Sequence, residues 1–424
     1  FMALFSAALV ALGKTPVRSL IMIPIGWVAL EYLRSFIFSG FPWELLGYSQ
    51  FNHLQLIQIS DIFGVYGLSA LIAFTNATLF ISLLHFTKRR WQDSNISNRL
   101  AVGSIIVLMA AFVLTLLYGH WRLNDVNKRM AASPRARVAV IQGNIDQAIK
   151  WNPAFQIDTV KKYNRLSASI IGQHPDLIVW PESATPFFFL HDIKPSELVF
   201  EGIHQTSKDY LIGSPSFVRK NNVVTYFNSA YLISPQSKTM GKYDKTHLVP
   251  YGEYVPFKKW LPFLGKIVAQ VGDFEAGAIG NTLQWRDQKI GVQICYEIIF
   301  PGLSRAMARN NASLLINITN DAWFGTSSGP YQHYSMAVFR AVENKRSLAR
   351  AANTGISGFI DPAGRILAAT ALLEEAAVVH SIPLLKDKTV YTMIGDLFAR
   401  VCMVVVILAA LLHIGRWGIN KRKR

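Results

Sequence analysis

Charged residues and cysteines are both scarce in this sequence. Only 16% of its 424 residues are charged and 51% are hydrophobic, which is unlike an ordinary soluble domain. Of the two cysteines, Cys402 falls in an apolar run that we interpret as a membrane span, so a disulfide with Cys295 would need an unfavourable geometry and is not expected. Because cysteine and histidine residues do not cluster at metal-ligand spacing, we expect neither a zinc site nor a cofactor.

Acidic residues are also few. The sequence has 26 of them against 43 basic residues, giving a formal net charge of +17. Many basic residues form short runs beside apolar stretches, such as Lys88–Arg90 and Lys421–Arg424. Next to membrane spans, such runs act as topology signals or as contacts to anionic lipid. We therefore predict a membrane partner and no nucleic-acid partner.

Several apolar runs are long enough to cross a bilayer, which takes about 20 residues. Four are good candidates: Leu20–Phe38, Val65–Phe86, Ala101–Tyr118 and Met393–Leu412. The sequence also opens inside an apolar run, Phe1–Leu12, which lacks the basic start and cleavage site of a signal peptide. We interpret it as a partial span and expect further spans upstream of it.

The distribution of basic residues predicts the sidedness of these spans. Lys14 and Arg18 follow the first run, and the segment Lys88–Arg99 and the tail Arg416–Arg424 are also basic, so these face the cytoplasm. The connection Ser39–Gly64 contains no lysine or arginine, so it faces outward. One further span places the large middle region on the outer face as well.

This pattern predicts three regions. Residues 1–136 form a helical membrane region of about four spans, residues 137–388 form a catalytic domain, and residues 389–424 form a last span with a basic cytoplasmic tail. The expected location is the bacterial inner membrane, crossed several times, with the catalytic domain on the periplasmic or outer face.

The middle region alternates strand and helix patterns. Arg137–Gly143, Asp176–Trp180 and Lys289–Ile294 are short apolar runs typical of buried strands, whereas Pro153–Gly172 has the periodicity of an amphipathic helix. A second helix is predicted between Gln332 and Arg350. Such alternation predicts an α/β sandwich with sheets inside and helices outside.

Three polar residues that could take part in catalysis each follow a predicted strand. Glu182 follows Trp180 and Pro181, where partial burial raises a carboxyl pKa as a general base requires; alone, it could equally be a helix-capping or surface residue. Lys245 could stabilise an oxyanion and be held by Glu253, although lysine-rich loops are usually solvated surface.

The third residue, Cys295, lies where a buried strand ends and a turn begins. A nucleophile on such an elbow is exposed, and the following backbone N–H can contribute to an oxyanion hole. A nearby cation would favour the reactive thiolate. The alternative is a buried structural cysteine, the commonest state of a free cysteine.

Taken together, these three residues resemble the Glu–Lys–Cys triad of the nitrilase superfamily, in the same chain order. The resemblance covers roughly Arg137–Ser381 and implies a nitrilase-like αββα sandwich inserted between transmembrane helices. It further implies that Glu182 is the general base, Lys245 the transition-state cation and Cys295 the nucleophile.

Additional motifs and the flanking spans resemble one membrane-bound branch of that superfamily, the apolipoprotein N-acyltransferase family. The motifs are Gln142–Asn144, Trp180–Ala184, Val249–Pro256, Cys295–Glu297 and Asn320–Gly325.

This resemblance implies a ping-pong reaction through a Cys295 thioester. The sn-1 acyl chain of a phospholipid, typically phosphatidylethanolamine, would pass to the α-amino group of the S-diacylglyceryl-cysteine that begins an apolipoprotein. The family also relies on residues matching Glu253, Tyr296 and Glu297, and the resemblance suggests a substrate role for Trp151.

Two aromatic patches adjoin the catalytic loops. Phe187 and Phe188 follow the glutamate, and Trp260 and Phe263 follow the lysine. Such patches suit loops that enter the membrane or line an acyl entrance, and Pro262 and Gly265 would let the second patch move as a lid. The alternative is ordinary core packing.

Two other functions fit parts of the pattern. A membrane-tethered amidase that hydrolyses amides of lipids or small molecules would share the triad and differ in admitting water to the thioester. The second alternative is a transporter or lipid-binding protein whose outer domain has lost catalysis. The presence of Glu182, Lys245 and Cys295 together argues against it, because loss of catalysis would be expected to change one of them.

Overall fold

The computed structural model describes residues 1–256 and 273–422, with side chains of the last helix described as far as Gly415. Contacts divide the chain into two units. The first, the helical unit, comprises Phe1–Asp125 and Thr389–Arg424, and the second, the sandwich unit, comprises Val126–Lys388. The sandwich unit thus includes the last residues of the long helix Asn98–Ala132.

Helices make up most of the helical unit. Four helices in the described part of the chain are long and apolar enough to cross a membrane, which confirms the prediction of membrane helices. They are α2 (Pro16–Arg34), α5 (Val65–Phe86), α6 (Asn98–Ala132) and α13 (Leu397–Arg422), and the shorter helices are α1 (Met2–Leu12), α3 (Leu54–Ile57), α4 (Ser60–Phe63) and α12 (Val390–Ile394).

The first predicted span ends earlier than expected. Helix α2 stops at Arg34, and a single 3₁₀ turn at Ile37–Ser39 follows it. Phe38 adopts a left-handed backbone with φ of 56°, which an α-helix of L-residues cannot continue through. The predicted end at Phe38 was therefore wrong, because an apolar composition continues past the point where the backbone turns.

Two buried acidic side chains of the helical unit accept hydrogen bonds from neighbouring groups. Glu31 accepts hydrogen bonds from the Trp27 indole at 2.9 Å and from the Leu46 backbone N–H at 2.6 Å. Asp61 accepts from the Arg122 Nε at 2.6 Å and from the Tyr118 hydroxyl at 2.7 Å. Pairing of this kind is what makes ionisable groups tolerable in an apolar environment.

Two six-stranded mixed sheets form the centre of the sandwich unit. Their strands are β1 Arg135–Gln142, β2 Leu177–Val179, β3 Asp209–Lys220, β4 Val223–Ile233, β5 Thr239–Asp244, β6 Thr282–Trp285, β7 Gln288–Ile294, β8 Leu314–Thr319, β9 Ser347–Ala352, β10 Gly358–Ile360, β11 Ile366–Ala369 and β12 Ala376–Pro383. The strand orders are β12-β1-β2-β3-β4-β5 and β11-β10-β9-β8-β7-β6. Strands β1, β2 and β3 are parallel neighbours, as are β7, β8 and β9.

Helices cover the outer faces of these sheets. Helices α8 (Gln156–Ser169) and α9 (Ile193–Thr206) pack together, and α8 contacts β1 and β12 of the first sheet. Helices α10 (Pro301–Arg309) and α11 (Gly329–Asn344) pack together on the second sheet. The inner faces of the sheets meet through β1 with β9 and β4 with β7, so the predicted αββα sandwich is confirmed.

The predicted helix from Gln332 to Arg350 was wrong at its end. Helix α11 stops at Asn344, where Lys345 takes a left-handed conformation with φ of 50° and caps the helix. The chain then enters β9, which contains Arg350 and pairs in parallel with β8. Sheet pairing thus overrides the helical pattern of the sequence.

Arg346 ties the end of the sandwich unit to the turn after α11. Its buried guanidinium donates to the carbonyl oxygens of Ala312 at 2.5 Å, Asp387 at 2.7 Å and Lys386 at 2.9 Å. Two further bonds go to the carbonyls of Asn344 and Lys345. One cation therefore satisfies backbone acceptors from three separate segments.

Replacing Arg346 by methionine should destabilise the sandwich unit. The buried carbonyls would lose their donors, at a cost of about 3 kcal/mol. Arg346→Met should then lower the apparent Tm by roughly 6–12 °C in a thermal melt of the detergent-solubilised protein. The exposed Arg309→Met is the matched control. Equal melting of both variants would contradict this role for Arg346.

Candidate active site

Strand ends bring the three predicted catalytic residues into one cluster. Lys245 directly follows β5, Cys295 directly follows β7, and Glu182 lies just beyond β2. The Lys245 ammonium lies 3.6 Å from the Glu182 carboxylate. Cys295 is near enough to both that their charges change its thiol pKa. The carboxyl ends of strands from both sheets thus meet at one site.

Glu182 is held from both sheets. Its Oε1 accepts a hydrogen bond from the Asn228 side chain of β4 at 2.8 Å. Its Oε2 accepts from the backbone N–H of Asn320, just after β8, at 2.9 Å. Both oxygens act as acceptors, which fixes the carboxylate in a geometry suited to receiving a proton from a neighbour.

Trp180 anchors the strand end that precedes Glu182. Its indole is fully buried, stacks on Tyr163 at a centroid distance of 5.0 Å and donates to the Ser167 hydroxyl at 2.9 Å. Such a packed anchor limits the freedom of the loop that follows. The position of Glu182 therefore depends on core packing two residues earlier.

Lys245 is a fully buried cation between two carboxylates. Its Nζ lies 2.9 Å from Glu253, which also accepts from the backbone N–H of Val249 at 2.9 Å. Burial alone would lower the pKa of Lys245, but the charges of Glu253 and Glu182 outweigh it and raise that pKa. The lysine is therefore a permanently charged group, as an oxyanion stabiliser requires.

Cys295 occupies a strained turn. Its φ is 52°, an uncommon value for a residue with a side chain, and it begins a 3₁₀ turn that runs to Ile299. The side chain is half-buried. Burial and the Glu182 charge raise the pKa of the thiol to about 12, with Lys245 opposing them. The resting group is thus a thiol, which needs a base before it can attack.

Glu297 ties the cysteine turn to the lysine loop. This fully buried carboxylate accepts from the Tyr243 hydroxyl at 3.0 Å and from the backbone N–H groups of Thr246 at 2.6 Å and Ile294 at 2.7 Å. Burial raises its pKa, and the Ile294 and Thr246 donors together with the charge of Lys245 oppose that shift. Because the bonds span both loops, Glu297 fixes the distance between nucleophile and cation.

A second buried ion cluster, formed by Asp321, His333 and Arg350, supports the backbone of the cysteine turn. Asp321 lies 2.7 Å from Arg350 and 2.9 Å from His333. Burial opposes ionisation of Asp321, but these two groups outweigh it and lower its pKa. Arg350 also hydrogen-bonds Asn317, whose amide donates to the Cys295 carbonyl at 3.4 Å. The cluster therefore fixes the backbone of the nucleophile.

The predicted substrate contacts lie in different environments. Trp151 is about half exposed at 49%, and Phe188 is half-buried against Phe217, with ring centroids 5.1 Å apart. Phe187 instead belongs to the buried core, where its ring has no free face for a substrate. Trp260 and Phe263, together with the proposed lid around Pro262 and Gly265, lie outside the described residues.

Sequence reasoning missed three contributors to the site. Asn228 bridges the carboxylates of Glu182 and Glu253, with 2.8 Å to each. Asn320 contributes a backbone N–H, which no sequence pattern reveals. Lys150 is buried and donates to the Glu182 carbonyl oxygen at 3.0 Å. For Asn228 the sequence did offer one indication, which is a polar amide within the mostly apolar strand β4.

Comparison with known proteins extends over both units. Residues 137–386 match the carbon-nitrogen hydrolase family, and residues 1–78 match the apolipoprotein N-acyltransferase N-terminal domain. The apolipoprotein N-acyltransferase of Geobacter metallireducens is 45% identical over 402 residues, covering 95% of this chain and 75% of that protein. The Methylococcus capsulatus protein of the same name is 35% identical over 389 residues, covering 91% and 72%.

Among solved structures, a Nesterenkonia amidase from the nitrilase superfamily aligns with a TM-score of 0.44 and 20% identity. The alignment covers 59% of this chain and 93% of that one.

The absence of a side chain at Gly213 leaves room for the loop that carries Glu182. A Cβ at this position of β3 would be 2.3 Å from the Pro181 carbonyl oxygen and 2.8 Å from the Glu182 Cα. Gly213→Ala should therefore push Glu182 out of position, and a shift of about 1 Å can slow a reaction by about a hundredfold.

Single-turnover acylation of Cys295 by a p-nitrophenyl ester measures this effect. The matched control is Gly302→Ala, because nothing lies within 4 Å of a Cβ there. Wild-type acylation rates in Gly213→Ala would show that this close approach does not fix the base.

Proposed function

Because the chain belongs to the apolipoprotein N-acyltransferase family, we propose that Cys295, Glu182 and Lys245 carry out its N-acylation of lipoproteins through a thioester. Membership confirms the resemblance first indicated by the motifs and makes the chain a membrane-bound acyltransferase. The observation that carries the proposed mechanism is the buried Lys245, held charged beside a protonated thiol and a fixed carboxylate.

The first half-reaction transfers an acyl chain to the enzyme. Glu182 takes the thiol proton of Cys295, and the sulfur attacks the sn-1 ester carbonyl of a phospholipid, for which we propose phosphatidylethanolamine. A C–S bond forms, and the charge on the carbonyl oxygen is stabilised by Lys245 and the Tyr296 backbone N–H. The C–O bond then breaks as Glu182 returns its proton to the leaving lysophospholipid oxygen.

The second half-reaction forms the amide. The α-amino group of the diacylglyceryl-cysteine attacks the thioester carbonyl, and Glu182 removes a proton from the attacking amine. As the C–S bond breaks, that proton passes to the departing sulfur and regenerates the Cys295 thiol. One acid–base group thus serves both steps.

The surrounding residues have supporting roles in this proposal. Glu253 keeps Lys245 charged and oriented, Glu297 holds the lysine loop against the cysteine turn, and Tyr296 contributes its N–H. Trp151 is retained as a substrate contact because nearly half of it is exposed. Phe188 is retained because it is only half-buried, whereas Phe187 is dropped because it lies in the core.

We further propose that the protein resides in the bacterial inner membrane with the sandwich unit on the outer face. The basic loops flank alternate apolar helices, as the positive-inside pattern requires. The proposed substrates would both be available there, since a phospholipid and a lipid-modified protein terminus share a membrane surface.

Cys295→Ser should abolish a covalent acyl-enzyme, because a serine hydroxyl is a much weaker nucleophile than the thiol in this site. We expect protein-bound label from a phospholipid labelled in its sn-1 chain, removable by neutral hydroxylamine, on wild type. The variant should lose at least about a thousandfold in rate. Cys402→Ser is the matched control and should keep the label.

Addition of a diacylglyceryl peptide should then move the label to its α-amino group. Label that water clears without transfer would favour the amidase alternative. Failure of wild type to become labelled with several phospholipids, while its melting remains cooperative, would refute the mechanism.

A further inference from the structure

Lys150 is a buried lysine beside the catalytic cluster that the mechanism above does not use. It ends the short helix α7, Gln147–Lys150, and only 1% of its surface is exposed. Lysine is rarely buried to this extent without a carboxylate partner. Among the described residues, its single hydrogen bond goes to the Glu182 carbonyl oxygen at 3.0 Å.

Two of the three N–H donors of this ammonium group therefore lack an acceptor within the part of the chain that the structure describes. The ammonium also lies over the ring of Trp151, 6.0 Å from its centroid. A buried donor without a partner is costly, and such groups need an explanation when they occur in an active site. An incoming oxygen atom would satisfy them.

The charged groups that act on Lys150 are those of the reaction itself. Burial lowers the pKa of its ammonium to about 8, opposed by the charge of Glu182 and, once the thiol has ionised, by that of Cys295. Lys150 is thus still charged at neutral pH but close to losing its proton. Its hydrogen bond to the Glu182 backbone places this ammonium beside the base.

The charge balance of the cluster also calls for a second cation. Lys245 lies between Glu253 and Glu182, and the two carboxylates leave one negative charge in excess. When Glu182 accepts the thiol proton and Cys295 attacks an ester, that charge moves to the substrate oxygen. Because Lys245 is already bound by Glu253, a donor with free N–H groups is better placed to respond to this movement.

We propose that the Lys150 ammonium is a second catalytic cation, which donates hydrogen bonds to the acyl carbonyl oxygen as negative charge forms on it. This inference rests on the proposed function, because it assumes that Cys295 attacks an ester carbonyl. It assigns Lys150 an interaction that is absent in the resting enzyme and formed only with substrate, which is the condition for accelerating the chemical step.

The test compares two reactions of Cys295 in full-length protein carrying Cys402→Ser. Acylation by a p-nitrophenyl ester passes through an oxyanion, whereas alkylation by iodoacetamide does not. Lys150→Met keeps the aliphatic stem and removes the charge. We expect it to slow acylation about a hundredfold more than it slows alkylation, which is the size expected for loss of one oxyanion donor.

Stability and pH supply independent readouts. Lys150→Met removes one hydrogen bond to the Glu182 carbonyl but also a buried charge that the fold disfavours, so its Tm should stay within about 3 °C of wild type. The ratio of acylation to alkylation, which cancels the thiolate fraction, should fall in wild type as pH rises through about 8, where the ammonium is lost. This fall should be absent in Lys150→Met. Lys161→Met, on the exposed surface of α8, is the matched control.

Three results would overturn the inference: unchanged acylation in Lys150→Met, equal slowing of acylation and alkylation, or a loss of acylation explained by a lower Tm. Failure of the proposed function is distinguishable from these. It would appear as absence of acyl transfer from labelled phospholipid in wild type, while the p-nitrophenyl ester still reports on Lys150.

Discussion

The burial of the Lys245 ammonium between two carboxylates is the constraint on which the site depends. A buried charge is tolerable only with close partners, so Glu253 and Glu182 must both stay within reach of it. Asn228 bridges the same two carboxylates, and Glu297 holds the adjoining loop to the cysteine turn. Fixing one cation therefore fixes the base and the nucleophile relative to each other.

The two sheets supply this arrangement from opposite sides. Glu182, Asn228 and Lys245 belong to the first sheet and its loops, whereas Cys295 and Asn320 follow strands of the second. Because sheets pack with little room for adjustment, groups at their edges are preorganised rather than assembled on binding. The left-handed backbone at Cys295 is stabilised in the same way, by bonds from Asn317 and the cluster around Asp321.

Local pattern predicted the membrane helices and an α/β sandwich, whereas the αββα arrangement and the grouping of the three site residues were predicted through the resemblance to the nitrilase superfamily. A polar residue directly after an apolar strand is visible in one dimension. Lys150 and Asn228 escaped prediction because their roles come from contacts with residues distant in the chain. Arg350 was placed on a helix for a similar reason: its position is set by pairing of β9 with β8. Phe187 shows the opposite error. It lies beside a catalytic loop in the sequence and was predicted to contact substrate, but its side chain packs in the core.

The high pKa of the Cys295 thiol has a consequence for the lifetime of the enzyme. Oxidants and disulfides react with thiolates far faster than with thiols, so a cysteine kept protonated at rest is chemically latent. An oxidising compartment would inactivate a permanently ionised nucleophile between turnovers. In this site the reactive form arises only when Glu182 accepts the proton, so the same electrostatics that demand a base also protect the sulfur while no substrate is bound.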